Sequence, residues 1–177
     1  MTKNILISGF GGQGMMKLGK ILAQAALYEN KHTSWFPSYG AEMRGGTAHC
    51  FVKISTGPIS SPFIKLPDIA VIFNKPSLQK FKTSFTDNTK VILNMDLIGE
   101  LESIKAKRII KCPLNKIALS CGNIKVANIV ALGMILSLDE ILKKKTMLLV
   151  LREIFPKKNS LKQNLEAFSK GETYVTS

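Results

Sequence analysis

Near the amino terminus, Gly9-Phe10-Gly11-Gly12-Gln13-Gly14 has the residue types and spacing of a phosphate cradle. Glycines let backbone N–H groups approach an anion, and a helix N-terminus behind such a loop adds its partial positive charge. The string is GxGGQG, a formal match to GxGxxG. A nicotinamide-binding fold also needs an acidic residue about 20 positions further on, ending the second strand, to hold the ribose. Here Glu29 precedes that strand, which ends in Trp35-Phe36-Pro37-Ser38. A P-loop is excluded too, because no Gly-Lys-Ser/Thr follows. The loop is therefore either a tight turn packing helix on strand, or a cradle for a phosphorylated ligand other than a free dinucleotide.

A second stretch, Ser38-Tyr39-Gly40-Ala41-Glu42-Met43-Arg44-Gly45-Gly46-Thr47, combines an acid, a base and paired glycines within one loop. Such a backbone comes very close to something. In a parallel sheet it follows the carboxyl end of the second strand, beside the first glycine loop, at the rim where ligands bind. The bland alternative is a lone hairpin carrying a surface ion pair.

These loops need elements to position them. Asn4 to Ser8 is a β-branched run, and Leu18, Leu22, Ala25 and Ala26 after the loop recur at helical spacing. Strand, glycine turn, helix is the opening unit of an α/β sheet. Further strands are expected at Thr33–Phe36, Thr47–Ile54, Asp68–Asn74, Lys90–Met95 and Arg108–Cys112. Gly57-Pro58 turns the chain, and Pro76 opens a helix through about Phe85. From Ala118 the pattern turns helical, with Val126, Ile129, Val130, Gly133 and Met134 on one stripe. Met147–Phe155 forms another helix, and Ser160–Phe168 a third, stopped by Gly171. The expected fold is α/β, a three-layer sandwich with a mostly parallel Rossmann-like sheet, helices on both faces and a helical C-terminal part about 113–177. With 177 residues and 45% hydrophobic content, residues 1–177 suit a single domain.

Composition narrows the function classes. The longest apolar stretch, Ile129 to Leu138, is about half of what a bilayer span needs. Met1-Thr2-Lys3-Asn4 runs straight into a strand, leaving no room for a signal peptide, so a cytoplasmic protein is expected. Cys50, Cys112 and Cys121 are too scattered for a disulfide framework, and they lack the close spacing of an iron–sulfur or zinc site. His32 and His49 have no metal-ligand spacing, so no metal is expected. Lys and Arg number 25 against 12 acidic residues, a net charge of +13. That excess favours anionic partners, yet its runs are short and no RNP-like pattern accompanies them, so no nucleic-acid role is expected.

Four segments, GFGGQGMMKLGKILAQAA (9–26), PSYGAEMRGGTAHCFVKIS (37–55), ISSPFIKLPDIAVIFNKPSLQKF (59–81) and KVANIVALGMIL (125–136), together resemble the gamma subunit of 2-oxoacid:ferredoxin oxidoreductases. They occur in the family's order and cover nearly the whole chain. The YGxEMRGG form is most similar to the 2-oxoglutarate type, with the pyruvate and branched-chain types as alternatives.

The resemblance implies a complex that decarboxylates a 2-oxoacid on thiamine diphosphate, passes the acyl group to coenzyme A and sends electrons through iron–sulfur clusters to ferredoxin. It also implies alpha, beta and ferredoxin-like delta partner subunits. The diphosphate and clusters would belong to those partners, and this chain alone would hold no cofactor. Carried over by position, Gly9, Gly11, Gly12, Gln13 and Gly14 would form part of a shared coenzyme A site. Arg44 would bind a phosphate through its planar fork, with Glu42 orienting it, and Tyr39 would pack. Asn74, Pro76 and Asn128 would be a strand-end turn and a buried polar anchor. No residue stands out as a catalytic acid, base or nucleophile. A stand-alone nucleotide-binding module would use the same glycine loop but leave Tyr39–Gly46 unexplained.

Overall fold

The computed structural model describes residues 1–38, 47–100 and 103–176. Strand β1 (Thr2–Phe10) leads through the glycine loop into α1 (Met15–Tyr28), then β2 (His32–Ser38) and β3 (Thr47–Ser55). Next come β4 (Ile69–Ile72), α2 (Lys75–Phe81), β5 (Lys90–Asn94), α3 (Met95–Ile98) and β6 (Arg108–Cys112). Helices α4 (Leu114–Ser120), α5 (Ala127–Leu138), α6 (Lys144–Ile154) and α7 (Lys158–Thr176) complete the chain. Short 3-10 turns occupy Lys82–Ser84 and Ile124–Val126.

The six strands lie in the order β2-β3-β1-β4-β5-β6. β1, β4, β5 and β6 pair in parallel, whereas β3 is antiparallel to both β1 and β2. β3 alone therefore runs against the others, and the sheet is mixed. The reason is local: β2 and β3 are neighbours joined by a short connection, and a parallel pair needs a crossover of a dozen residues or more.

Alternation along the strands feeds two cores. Ile5, Ile7, Ile69 and Val71 meet Leu18 and Leu22 of α1 and the body of α5 on one face. Leu6, Ala70, Ile72 and Leu93 meet Leu78 and Phe85 on the other. The first face is the thicker, because α6 packs outside α1 and α7 packs against α5. This is the layered α/β arrangement expected from the sequence, with helices on both faces and a helical C-terminal part.

The helices depart from expectation at several points. Helix α2 ends at Phe81, where a 3-10 turn takes over, and α3 and α4 were not foreseen as separate helices. Helix α5 has no single apolar stripe: every residue but Ser137 is buried, because the sheet, α1, α4 and α7 surround it. Nor does Gly171 stop the last helix, which continues to Thr176. A Cβ at Gly171 would run into the carbonyl oxygen of Val130, and one at Gly133 into that of Phe168. Both glycines sit inside helices so that α5 and α7 can approach backbone to backbone. Among the described residues, no helix is long and apolar enough to cross a membrane.

Candidate functional site: the glycine loop and its two lysines

The loop between β1 and α1 is held from three directions. Its own Gln13 folds back, and the Gln13 Oε1 accepts a hydrogen bond from the Phe10 N–H at 2.6 Å. Asn74, almost fully buried at the end of β4, donates its Nδ2 to the same oxygen at 3.4 Å. Asn74 Oδ1 meanwhile accepts from Ser77 N–H at 2.9 Å, capping α2, whose first turn carries Pro76. From the helical side, Asn128 Nδ2 donates to the carbonyl oxygen of Gly14 at 3.0 Å. The loop is thus braced by β4 and α5 before any ligand arrives.

Its glycines do different things. Gly9 is buried, and a Cβ there would collide with Gln13 Oε1, Met15 Sδ and Phe73 Cβ. Gly14 caps α1 in the left-handed region, with φ 77°, pressed against the Asn128 amide. Gly12 also has a positive φ of 90°, but nothing lies within 4 Å of where its Cβ would be. Gly11 is exposed, has no positive φ, and likewise has open space there. Among the described residues, no packing requires glycine at Gly11.

Two clefts flank this exposed turn. One, of about 290 Å³, is lined by Gly12, Gly14, Lys17, Lys125, Asn128 and Phe155, with Asn123, Ser160 and Asn164 completing its polar wall. The other, of about 200 Å³, is lined by Gly12, Gln13, Phe73, Asn115 and Lys125 among others. Gly12 and Lys125 belong to both. Among the described residues, neither lining includes a carboxylate. Helix α1 has no acidic residue in its first turn, so its dipole end is uncompensated from within. Lys17 Nζ sits 4.3 Å from the centre of the Phe155 ring. A loop of exposed glycine backbone, a helix N-terminus and two lysines with no counter-charge among the described residues suit a polyanion. Lys17 and Lys125 were not singled out from sequence. Lys17 is recognisable as the exposed first-turn residue of α1, but Lys125 reaches the loop only through the tertiary packing of α5.

The second loop is represented by its flanks. Thr47 pairs with Phe10, so the β3 end of the β2–β3 connection abuts the carboxyl end of β1, while Ser38, paired with His49, lies one strand further out. Tyr39, Glu42 and Arg44 lie outside the described residues. His49 on β3 is held neutral: burial first, then the nearby Lys80 charge, lowers its pKa from 6.5 to about 4. Burial likewise pushes the Cys50 and Cys112 thiols up to about 12, so neither is a thiolate nucleophile at neutral pH. Among the described residues, no three His, Cys, Asp or Glu side chains gather to hold a metal ion. The arrangement of the described residues suits anion binding.

A larger depression of about 600 Å³, near Glu29, Lys31, Lys144 and Glu172, lies away from the glycine loop, where α1 runs into β2. Four of its charged side chains are paired, Lys144 with Glu172 at 2.7 Å and Lys31 with Glu29 at 2.9 Å.

The family described as pyruvate ferredoxin/flavodoxin oxidoreductase matches residues 4–174, and the chain belongs to that family. It is 42% identical over 134 residues to the ketoisovalerate oxidoreductase subunit VorA of Methanothermobacter thermautotrophicus, covering 76% of this chain and 28% of that protein. It is 39% identical over 174 residues to the 2-oxoglutarate synthase subunit KorC of Methanocaldococcus jannaschii, covering 97% of this chain and 92% of that one. In fold it is similar to the 2-oxoglutarate:ferredoxin oxidoreductase from Magnetococcus marinus, solved with 2-oxoglutarate, coenzyme A and succinyl-CoA bound. That likeness has a TM-score of 0.90 at 24% identity, covering 99% of this chain and 31% of that one. This chain thus spans less than a third of VorA and of the Magnetococcus chain, but nearly all of KorC.

Proposed function

We propose that this chain is the gamma subunit of a 2-oxoglutarate:ferredoxin oxidoreductase, a cytoplasmic complex converting 2-oxoglutarate, coenzyme A and oxidised ferredoxin to succinyl-CoA, carbon dioxide and reduced ferredoxin. In this complex Gly11, Gly12 and the first turn of α1, with Lys17 and Lys125, hold the phosphate-bearing half of coenzyme A. Gly9, Gln13 and Gly14 set the shape of that loop, and Arg44 contributes a further phosphate contact from the neighbouring connection. Residues 1–177 act as one domain.

The observation that carries the ligand class is the exposed Gly11-Gly12 turn between two lysines, in clefts without a carboxylate. Support for the substrate comes from KorC, matched across nearly its full length. Thiamine diphosphate and iron–sulfur clusters belong to the alpha, beta and delta partners, where the diphosphate supplies the carbanion chemistry of decarboxylation. This chain's residues bind and orient the coenzyme, so that its thiol can reach an acyl group held elsewhere. A second possibility, a ketoisovalerate-type subunit, draws on the 42% identity to VorA.

The test is to co-express the chain with its partner subunits and to measure coenzyme A-dependent viologen reduction with 2-oxoglutarate, ketoisovalerate and pyruvate. The highest kcat/KM is expected with 2-oxoglutarate; a preference for ketoisovalerate would assign the second type. Arg44→Ala should raise the KM for coenzyme A. Activity unaltered by that change would remove Arg44 from the site. A chain that joins no partner yet binds free dinucleotides would instead be a lone nucleotide-binding module.

A further inference from the structure

Strands β2 and β3 present two unlike faces. Trp35, Cys50 and Val52 turn toward α1, and a Cβ at Gly19 of that helix would touch both Trp35 and Cys50. The alternate residues Phe36, His49, Phe51 and Lys53 share the opposite face. Among the described residues, no helix lies across that face. The end of α2 reaches only its inner margin, with the Phe81 ring 4.9 Å from His49 and Lys80 Nζ 3.5 Å from Thr47 Oγ1. Phe63, from the segment after β3, lies 4.9 Å from Phe36 between ring centres, yet remains 60% exposed. Leu66, in the same segment, is 59% exposed. The exposed apolar residues on the helical side, such as Leu119 and Leu149, are instead isolated on separate helices. A contiguous aromatic face on a sheet margin marks an interaction surface.

Two further observations say what covers it. Strands β2 and β3 and residues 56–67 contain no acidic residue, while Lys53 shares the aromatic face and Lys80 stands at its inner margin. The occupant is therefore rimmed with carboxylates. In VorA and in the Magnetococcus protein this fold is only 28% and 31% of the polypeptide, so the remainder packs against it by some face. The β2–β3 face also borders the glycine loop, because Phe10 pairs with Thr47. A chain seated there reaches the proposed coenzyme site.

We propose that the aromatic face of β2 and β3 seats the partner subunit corresponding to the remainder of those longer relatives, through an apolar surface rimmed by carboxylates. This rests on the subunit assignment above.

The test compares hydrogen exchange in the isolated chain and in the complex purified after co-expression with the other subunits. Residues 32–38, 47–55 and 57–66 should exchange about tenfold more slowly in the complex. Phe63→Asp should cut recovery of the partner subunits by about tenfold or more, while Leu119→Asp leaves it unchanged. Melting of each isolated variant checks that it is folded. Protection confined to α4–α7 in a complex that turns over would overturn the face while leaving the subunit assignment intact. Failure to assemble with any of the subunits would overturn both. A lone chain that dimerises, and ceases to with Phe63→Asp, would give the face to a second copy and overturn the proposal.

Discussion

Asn128 on α5 donates its side-chain amide to the carbonyl oxygen of Gly14, 114 positions earlier, at 3.0 Å. This one bond fastens the glycine loop to the helical layer, since Gly14 is also the residue from which α1 starts. Asn128→Leu removes it and leaves a loop carbonyl without that partner, a cost of about 1–3 kcal/mol. The expected result is a lower melting temperature together with a raised KM for coenzyme A in the assembled enzyme. A lower melting temperature with an unaltered KM would make the bond purely structural.

Lys17 and Lys125 supply the positive charge around Gly12. Replacing either by Met should weaken coenzyme A by roughly tenfold, the scale of one charge-assisted hydrogen bond, and leave KM for the 2-oxoacid unchanged. The KM of the wild-type enzyme for coenzyme A should rise with salt, and more steeply than that of the variants. Steady-state kinetics at two ionic strengths would check both points.

Gly133 and Gly171 let α5 and α7 meet at their backbones, each facing a carbonyl oxygen of the other helix. Ala has the better helix propensity, so on an isolated helix either change would stabilise. Here Gly133→Ala or Gly171→Ala must push two packed helices apart, and a loss of about 3 kcal/mol is expected. Denaturant titration of the isolated chain reads it directly, and a gain in stability would refute the close approach.

The pKa of His49 falls from 6.5 to about 4 in the folded chain, chiefly through burial. The unfolded state then binds more protons between those values, so unfolding becomes easier as pH drops through that window. Above pH 6.5 the contribution is complete; below about pH 4 it is lost. His49→Phe, which keeps an aromatic ring against Phe51 and Phe81, should flatten this part of the stability profile. Thermal melts of both chains across the range provide the comparison, and equal slopes would mean that His49 is not the group responsible.

The parts legible in the sequence were those written in short-range patterns. Ile5 and Ile7 before Gly9, and Leu18 and Leu22 after Gly14, define strand, turn and helix with residues at most a few turns apart. Pro76 signals a helix start, and α2 does begin there, with the Asn74 side chain supplying a cap that the sequence reading does not assign. Misreadings arose where distant contacts override local preference. Gly171 is a helix breaker by propensity, but the carbonyl of Val130 makes glycine the residue that fits inside α7. The stripe from Val126 to Met134 predicted one buried face for α5, yet layers on every side bury nearly all of it.

The sequence by itself determined that a glycine-rich turn joins a buried strand to a helix. Only the tertiary structure decided which glycines are exposed, that Gln13 braces its own loop, and that Lys125 stands beside Gly12. Backbone geometry and hydrophobic period act between near neighbours and can be read along the chain. The brace from Asn128 and the meeting of Lys17 and Lys125 at one cleft depend on segments more than a hundred residues apart, brought together by burial of the core.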